Sequence, residues 1–235
     1  MPSTFFHKIK TAVSGLKPEN ILYYPGCMTQ YALKEVFEDY KAILVDLGID
    51  FVTINDLVCC GSPLLNAGYE KDFNEIKEKN LGILKQNKIT KIITNCPHCY
   101  DIFKHKYGLN VEHTLQTLAA NKRKISVENT EEVAYHDPCI LARKNNIFQE
   151  PREVLKHTGF HLEEPLKSKD CTFCCGAGGG VKQNSSKIAD KIAKERLSQL
   201  KSNKIIVSCP YCYAHLKENA TKKKIIEISK TLVEE

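Results

Sequence analysis

Cysteine is the residue type that gives this chain its chemical character. Eleven of the 235 residues are cysteine. A secreted disulfide scaffold is normally short and follows a signal peptide, whereas this chain is long and its first residues lack the continuous apolar run of a signal. We therefore expect a cytoplasmic location. In that reducing environment, so many thiols indicate metal binding or redox chemistry.

The cysteines follow a spacing that occurs twice along the chain. Each copy has one single cysteine, then an adjacent pair after 31 or 34 residues, then a C-x-x-C motif after 35 or 33 more. The first copy consists of Cys27, Cys59, Cys60, Cys96 and Cys99. The second copy consists of Cys139, Cys174, Cys175, Cys209 and Cys212, and Cys171 is left over. Because the flanking residues repeat as well, we infer a tandem duplication.

The duplication predicts the domain organisation. We expect an N-terminal extension over residues 1–20, a first cysteine-rich domain over residues 21–124 and a second over residues 125–235. The apolar residues of the extension follow helical spacing, which predicts a short amphipathic helix. These residues are Phe5, Phe6, Ile9, Val13 and Leu16.

Short buried strands alternate with helices in both halves. The predicted strands cover residues 21–24, 51–54, 91–94, 133–135 and 204–207, and helical spacing runs over 33–47, 73–84 and 188–200. This alternation predicts an α/β fold of two tandem homologous domains, each with a small, mostly parallel sheet flanked by helices, related by a pseudo-two-fold axis. Parallel strands share one carboxyl edge, so the five thiols of each half are expected to converge there.

The local motifs favour thiolates and a cluster of metal ions. Pro97 and Pro210 follow the first cysteine of each C-x-x-C, which predicts that both thiols lie at a helix N-terminus, where the helix dipole favours negative charge. Adjacent cysteines suit two metals of one cluster better than one metal. We expect Gly61 and Gly176, which follow the pairs, to leave room for a cofactor.

Three chemistries fit these thiols. Iron–sulfur clusters are held by cysteine thiolates, and five of them suit a cluster with several irons. Zinc takes four ligands and is the next candidate for one of the halves. The two C-P-x-C motifs also match the dithiols of metal-free thiol–disulfide oxidoreductases, although such an enzyme does not need the other cysteines.

The complete pattern, C-x31-CC-x35-C-x2-C followed by C-x34-CC-x33-C-x2-C, resembles the cysteine-rich (CCG) domain proteins. That family includes the cysteine-rich subunit of heterodisulfide reductase and the iron–sulfur subunit of glycolate oxidase. The resemblance implies an iron–sulfur oxidoreductase subunit that transfers electrons through one [4Fe–4S] cluster per domain, of the noncubane type in heterodisulfide reductase. Each set of five cysteines would hold one cluster, with zinc as the alternative in one domain.

The resemblance also implies a substrate and partners. Heterodisulfide reductase reduces a disulfide at its clusters, and a quinone and the flavin of a 2-hydroxy-acid oxidase are the alternative substrates. Several longer relatives begin with a ferredoxin segment, whose closely spaced cysteine motifs this sequence does not contain. We therefore expect a separate ferredoxin-like or flavin-containing redox subunit as partner.

Two further residues near Cys139 are secondary candidates. His136 and Arg143 could donate hydrogen bonds to a cluster sulfur, hold an anionic substrate, or serve ordinary packing and surface roles. The net charge is +6, but the lysine clusters are short and lack interleaved aromatics, so we expect no nucleic-acid partner. No apolar run approaches the roughly 20 residues of a membrane span, so we expect no transmembrane segment.

Overall fold

Each half of the chain folds around its own parallel sheet. A computed structural model describes residues 19–233. The amphipathic helix predicted over residues 5–16 lies outside this range. Within the range, the predicted α/β fold with two parallel sheets flanked by helices is confirmed.

The sheet of the first half has the strand order β1-β2-β3. Its strands are β1 (Asn20–Tyr23), β2 (Ile89–Thr94) and β3 (Val111–His113). Its helices are α1 (Lys34–Asp46), α2 (Ser62–Asn66), α3 (Glu70–Gln86), α4 (Pro97–His105) and α5 (Thr114–Ala120). A π-helical turn, Met28–Ala32, follows β1, and a 3-10 turn, Lys122–Lys124, follows α5. Val52 forms a parallel bridge with Leu22 of β1.

The sheet of the second half has the order β5-β4-β6-β7. Its strands are β4 (Glu132–His136), β5 (His161–Glu163), β6 (Lys204–Val207) and β7 (Lys224–Glu227). Its helices are α6 (Glu150–His157), α7 (Val181–Asn184), α8 (Ser186–Gln199) and α9 (Pro210–Asn219). A π-helical turn, Ile140–Lys144, and two 3-10 turns, Lys169–Cys171 and Ile228–Thr231, complete it. If the Val52 bridge is counted as a strand, both sheets have the same order.

The two halves share a hydrophobic core. Helix α1 buries Val36, Tyr40, Ile43 and Leu44, which recur at helical spacing. These side chains join a cluster that also contains buried residues of the second half, namely Val133, Tyr135, Leu141, Val154, Leu155, Ile206 and Ile228. The Tyr40 hydroxyl, moreover, donates a hydrogen bond to Glu227 Oε1 at 2.9 Å. The sheets are therefore held together by a common interior.

The length and hydropathy of the helices also bear on membrane insertion. Between residues 19 and 233, no helix combines the length and the apolar character that a membrane span requires.

Candidate metal centres

The five cysteines of the first half line one cavity. The segments that carry them follow β1, the Val52 bridge and β2, so the carboxyl ends of neighbouring strands bring them together. The cavity has a volume of about 300 Å³. Its cysteines are Cys27, Cys59, Cys60, Cys96 and Cys99.

The five cysteines of the second half line a second, much smaller pocket. It contains Cys139, Cys174, Cys175, Cys209 and Cys212 and encloses about 10 Å³. The sulfurs lie almost against one another, with 3.2 Å between the Sγ atoms of Cys212 and Cys175 and 3.9 Å between those of Cys174 and Cys139. The structure thus gathers each set of thiols at one place, with different amounts of free space.

Each C-x-x-C motif begins a helix, as the prolines predict. Cys96 and Cys209 are the N-caps of α4 and α9, and a proline occupies the first turn of both helices. A tyrosine at or near the end of β1 or β4, the first strand of each half, anchors the residue before the motif. Tyr23 donates to Asn95 Oδ1 at 3.1 Å, and the Tyr135 hydroxyl lies 2.5 Å from that of Ser208. The helix N-termini therefore point their unpaired N–H groups toward the thiols.

A buried amide positions the adjacent cysteines of the first half. Asn80 of α3 is fully buried, donates to the carbonyl of Cys59 at 3.1 Å and accepts from the N–H of Val58 at 3.3 Å. It also donates to the hydroxyl of Tyr107, which donates in turn to the carbonyl of Cys60. The loop that carries the pair is therefore held by side chains from α3 and from the segment just after α4.

The glycines after the two pairs serve packing rather than cofactor access. Gly61 and Gly176 have φ angles of +88° and +89°, a left-handed conformation that disfavours other residues. A Cβ on Gly61 would lie 2.6 Å from the Phe73 ring, and one on Gly176 would lie 2.8 Å from the carbonyl oxygen of Ala189. Our expectation that these glycines leave room for a cofactor was wrong: α3 occupies that space in the first half and α8 in the second.

Crowding of the thiols separates their acidities in the same way in both halves. Hydrogen bonds from Cys27 and Cys60 lower the pKa of Cys59 well below its usual value. The same contacts, together with burial, raise the pKa of Cys27 and of Cys60. Hydrogen bonds from the neighbouring thiols likewise lower the pKa of Cys174, to which the N–H of Gly176 also donates at 3.3 Å. Each half thus favours ionisation of the first cysteine of its adjacent pair. In the first half, a hydrogen bond from Cys99 lowers the pKa of Cys96 as well.

The donor set of both sites fits an iron–sulfur cluster, but the space differs. Thiolates at helix N-termini are the ligands that such clusters use. The first cavity has room for a group of several atoms. The thiols contact one another in both sites, so the sulfurs of each would have to move apart to admit a cluster. The second pocket has almost no open space beside them.

An aromatic pair lies between the two sites. His98 and Tyr211 are the third residues of the two C-x-x-C motifs, and their rings stack edge to face with centroids 5.5 Å apart. Both side chains line both pockets. Burial lowers the pKa of His98, which keeps the imidazole neutral. Each motif therefore contributes one ring to the boundary with the other site.

The structure separates the secondary candidates. His136 is fully buried, and one of its ring nitrogens lies within 4.8 Å of the sulfurs of Cys175 and Cys212. Arg143 is exposed on the π-helical turn and lines neither cysteine pocket. Cys171 is also exposed and outside both pockets. The leftover cysteine therefore has no place in either site.

Sequence reasoning overlooked two buried polar residues beside the sites. Asn80 holds the first cysteine pair, and Arg196 of α8 donates to His136 Nδ1 at 3.0 Å. Both residues occupy the buried face of a helix, where the apolar spacing predicts an aliphatic side chain. A polar residue at such a position was the signal that could have revealed them, because buried polar groups need a partner.

Comparisons with known proteins agree with the cysteine pattern. The chain is 26% identical to an uncharacterised iron–sulfur protein of Methanococcus maripaludis, with 86% of this chain and 42% of that protein covered. It is 29% identical to the EtfAB:quinone oxidoreductase of Syntrophomonas wolfei, over 89% and 32% of the two chains. It is 32% identical to one subunit of the dihydromethanophenazine:CoB–CoM heterodisulfide reductase of Methanosarcina acetivorans, over 91% and 58%. The chain thus spans about one third to just over half of the length of these curated relatives.

The match to a protein family covers most of the chain. The cysteine-rich domain (CCG) matches twice, over residues 21–104 and 133–217. Among solved structures, glutamate racemase RacE1 of Bacillus anthracis aligns with a TM-score of 0.41 and 12% identity over 91% of this chain and 77% of that one, a likeness too weak to bear on function. The predicted resemblance is confirmed: the chain belongs to the cysteine-rich (CCG) domain family and contains its domain in two copies.

Proposed function

We propose that this chain is an iron–sulfur oxidoreductase subunit that transfers electrons through two cysteine-bound clusters, one in each half. The observation that carries the proposal is the convergence, twice, of five thiols from three separate segments at the carboxyl edge of a parallel sheet. The ligands proposed for one cluster are Cys27, Cys59, Cys60, Cys96 and Cys99. Those proposed for the other are Cys139, Cys174, Cys175, Cys209 and Cys212.

The residues of each site have definable tasks. The thiolates bind iron, and the N-termini of α4 and α9 offset part of the negative charge of the bound group. The half-buried rings of His98 and Tyr211 lie between the two sites, on the path that an electron would take from one to the other. A [4Fe–4S] cluster, whether cubane or noncubane, supplies one-electron redox chemistry when bound.

The cavity of the first half supports a small uncharged substrate. Beside the cysteines it is lined by Met28, Pro63, Asn66, Gln183, Tyr211 and the glycines Gly178 to Gly180. No aspartate, glutamate, lysine or arginine of the described chain lines it, and a thiolate-bound cluster is itself negative. An uncharged disulfide or quinone is therefore favoured over an anionic one. Reduction of either takes two electrons and two protons, giving two thiols or a quinol.

The source of electrons is proposed to be a separate redox subunit. The heterodisulfide reductase relative is itself named as one subunit of a larger enzyme. We propose a ferredoxin-like or flavin-containing partner that delivers or accepts electrons at one of the two centres. A cytoplasmic location would keep the thiols reduced.

Metal analysis after anaerobic purification tests the proposal against its alternatives. We expect iron and acid-labile sulfide sufficient for two clusters per chain, with an electron paramagnetic resonance signal after reduction. Zinc without iron would identify a zinc-bound structural subunit. Free thiols without any metal would identify a thiol–disulfide oxidoreductase that uses the two C-P-x-C motifs. Either of these results would overturn the proposal.

A further inference from the structure

A buried imidazole nitrogen beside the second site has no partner. His136 is the last residue of β4 and is completely buried. Across residues 19–233, nothing forms a hydrogen bond with its Nε2 atom. Buried polar groups are rarely left unsatisfied, and an exception indicates a function or a missing partner. The sulfurs of Cys175 and Cys212 lie within 4.8 Å of the ring.

The contact on the other side of the ring fixes where the proton lies. Arg196 Nε donates a hydrogen bond to Nδ1 of His136 at 3.0 Å. A guanidinium can only donate, so Nδ1 must offer its lone pair. An imidazolium carries a hydrogen on both nitrogens, so a ring whose Nδ1 accepts from Arg196 is neutral. A neutral ring with an accepting Nδ1 carries its hydrogen on Nε2, which is therefore a donor.

The same contact argues against His136 as a metal ligand or a substrate contact. A histidine that binds a metal usually donates its second N–H to a carboxylate or carbonyl. Here the second nitrogen accepts from a cation instead, so the lone pair is used on Nδ1 and the hydrogen is on Nε2. An anionic substrate cannot reach the ring, because His136 has no solvent exposure.

The first half has no such donor at the corresponding position. Tyr24 precedes Cys27 by three residues, as His136 precedes Cys139. The single hydroxyl hydrogen of Tyr24 is donated to the carbonyl of Val58 at 3.1 Å. The buried polar residue of α3 is the neutral Asn80, whereas α8 places the charge of Arg196 near Cys175 and Cys212.

We propose that His136 Nε2 donates a hydrogen bond to a sulfur of the second centre and, with the charge of Arg196 behind it, makes that centre easier to reduce than the first. This inference rests on the proposed function, since it requires a cluster in the second half. Reduction adds negative charge to a cluster, and hydrogen-bond donors to its sulfurs stabilise that charge. Electrons would then settle on the second centre, away from the open cavity.

Two substitutions at position 136 separate the sulfur contact from the arginine contact. His136→Asn keeps an acceptor close to the backbone for Arg196 but is too short to reach the sulfurs. His136→Gln keeps an N–H at the distance of Nε2. The control is Tyr24→Phe, which removes a hydroxyl whose hydrogen is donated to the carbonyl of Val58 and not to sulfur. The readout is a potentiometric titration of both centres in the anaerobically purified full chain. The second centre is identified as the signal that Cys174→Ser abolishes.

The expected result is a change confined to the second centre. His136→Asn shifts its reduction equilibrium about tenfold toward the oxidised form, equal to about 59 mV for one electron, and His136→Gln restores most of the shift. Tyr24→Phe leaves the first centre unchanged. In pulsed electron paramagnetic resonance with ¹⁵N-labelled histidine, the reduced second centre shows a weak nitrogen coupling that is lost in His136→Asn.

The other outcomes separate a failure of this inference from a failure of the proposed function. An unchanged potential in His136→Asn, with full iron and sulfide, rejects the hydrogen bond but leaves the two clusters in place. A strong coupling of the kind that iron-bound nitrogen gives would make His136 a ligand and would also reject it. Absence of iron from the second half in the wild-type chain would instead overturn the proposed function.

Discussion

The two halves of the molecule have the same thiol set but different surroundings. Both bring five cysteines to the edge of a parallel sheet with the same strand order. The first set opens into a cavity of about 300 Å³, and its nearby polar residues, Tyr24 and Asn80, are uncharged. The second encloses about 10 Å³, and His136 lies beside its sulfurs with Arg196 behind it. Duplication preserved the ligands, whereas the residues behind them diverged.

Loss of one thiol in either half gives the largest expected effect and tests whether the sites are independent. Cys59→Ser should remove the iron of the first half, and Cys174→Ser that of the second, so each variant keeps about half of the wild-type iron. The matched control is Cys171→Ser, which should keep all of it because Cys171 is exposed and outside both pockets. Iron and sulfide analysis measures this. Full iron in both cluster variants would refute the ligand assignment.

An ion pair found only in the second half is expected to matter for stability. Asp137 is fully buried and accepts two hydrogen bonds from Arg152, both at 2.8 Å, whereas the corresponding residue of the first half is Pro25. Asp137→Asn removes the negative charge that faces the buried guanidinium of Arg152. This change should lower the free energy of unfolding by about 3 kcal/mol. Urea unfolding monitored by circular dichroism measures the change.

The control for this prediction is the other carboxylate on the same arginine. Glu164→Gln affects a more exposed partner of Arg152 and should cost clearly less than Asp137→Asn. Equal losses in the two variants would show that burial of the Asp137 pair is not what makes it important.

The two sheets have different titratable groups at equivalent positions. His113 lies opposite Thr94 in the first sheet, and Glu227 lies opposite Val207 in the second. Both are fully buried, and both accept a backbone N–H at the start of the following helical turn. Burial lowers the pKa of His113 to about 3 and raises the pKa of Glu227 to about 7.

These two groups should give opposite pH dependences of stability. Between about pH 3 and 6.5 the unfolded chain protonates His113 but the folded chain does not, so unfolding becomes easier as the pH falls. Between about pH 4.5 and 7 the folded chain keeps the proton on Glu227 and the unfolded chain loses it, so stability falls as the pH rises. Each slope is at most about 1.4 kcal/mol per pH unit.

Single substitutions should remove one slope at a time. Relative to the wild type, Glu227→Gln should gain stability as the pH rises from 4.5 to 7. His113→Asn should gain relative stability as the pH falls from 6.5 toward 3. Urea midpoints measured across this range test both, and slopes of the same sign in the two variants would contradict the account.

The smallest expected difference concerns the glycines after the cysteine pairs. Gly61→Ala should cost about 1–2 kcal/mol for the left-handed conformation, and the Phe73 ring can turn to admit the methyl group. Gly176→Ala should cost more, because its methyl group would meet the backbone carbonyl of Ala189. Thermal unfolding of the two variants compares them, and a smaller loss in Gly176→Ala would be inconsistent with this packing.

The spacing of apolar residues and cysteines predicted most of what positions the thiols. Strand β6 has the predicted bounds. Helix α3 covers the predicted helical spacing and α8 covers it up to Gln199, because a helix with one buried face leaves a clear period in the sequence. Strands β3, β5 and β7 were not predicted. Strands β3 and β5 have only three residues, too few to show an alternation. The predicted strand over residues 51–54 is reduced to the bridge at Val52.

The surroundings of the thiols could not be predicted in the same way. The volume of each pocket depends on how helices from both halves pack, which no local pattern encodes. The role of Arg196 depends on a contact across 60 residues with His136. The reason for Gly176 lies in the carbonyl of Ala189 and became visible only once α8 was in place.

Anomalous diffraction at the iron edge tests the central claim most directly. Crystals of the chain purified and grown without oxygen should show two iron sites, one among the five sulfurs of each half. Each site should resolve into several irons bound by cysteine sulfur. A single zinc ion at either place, iron bound elsewhere such as at Cys171, or two empty pockets would contradict the assignment of two cysteine-bound clusters.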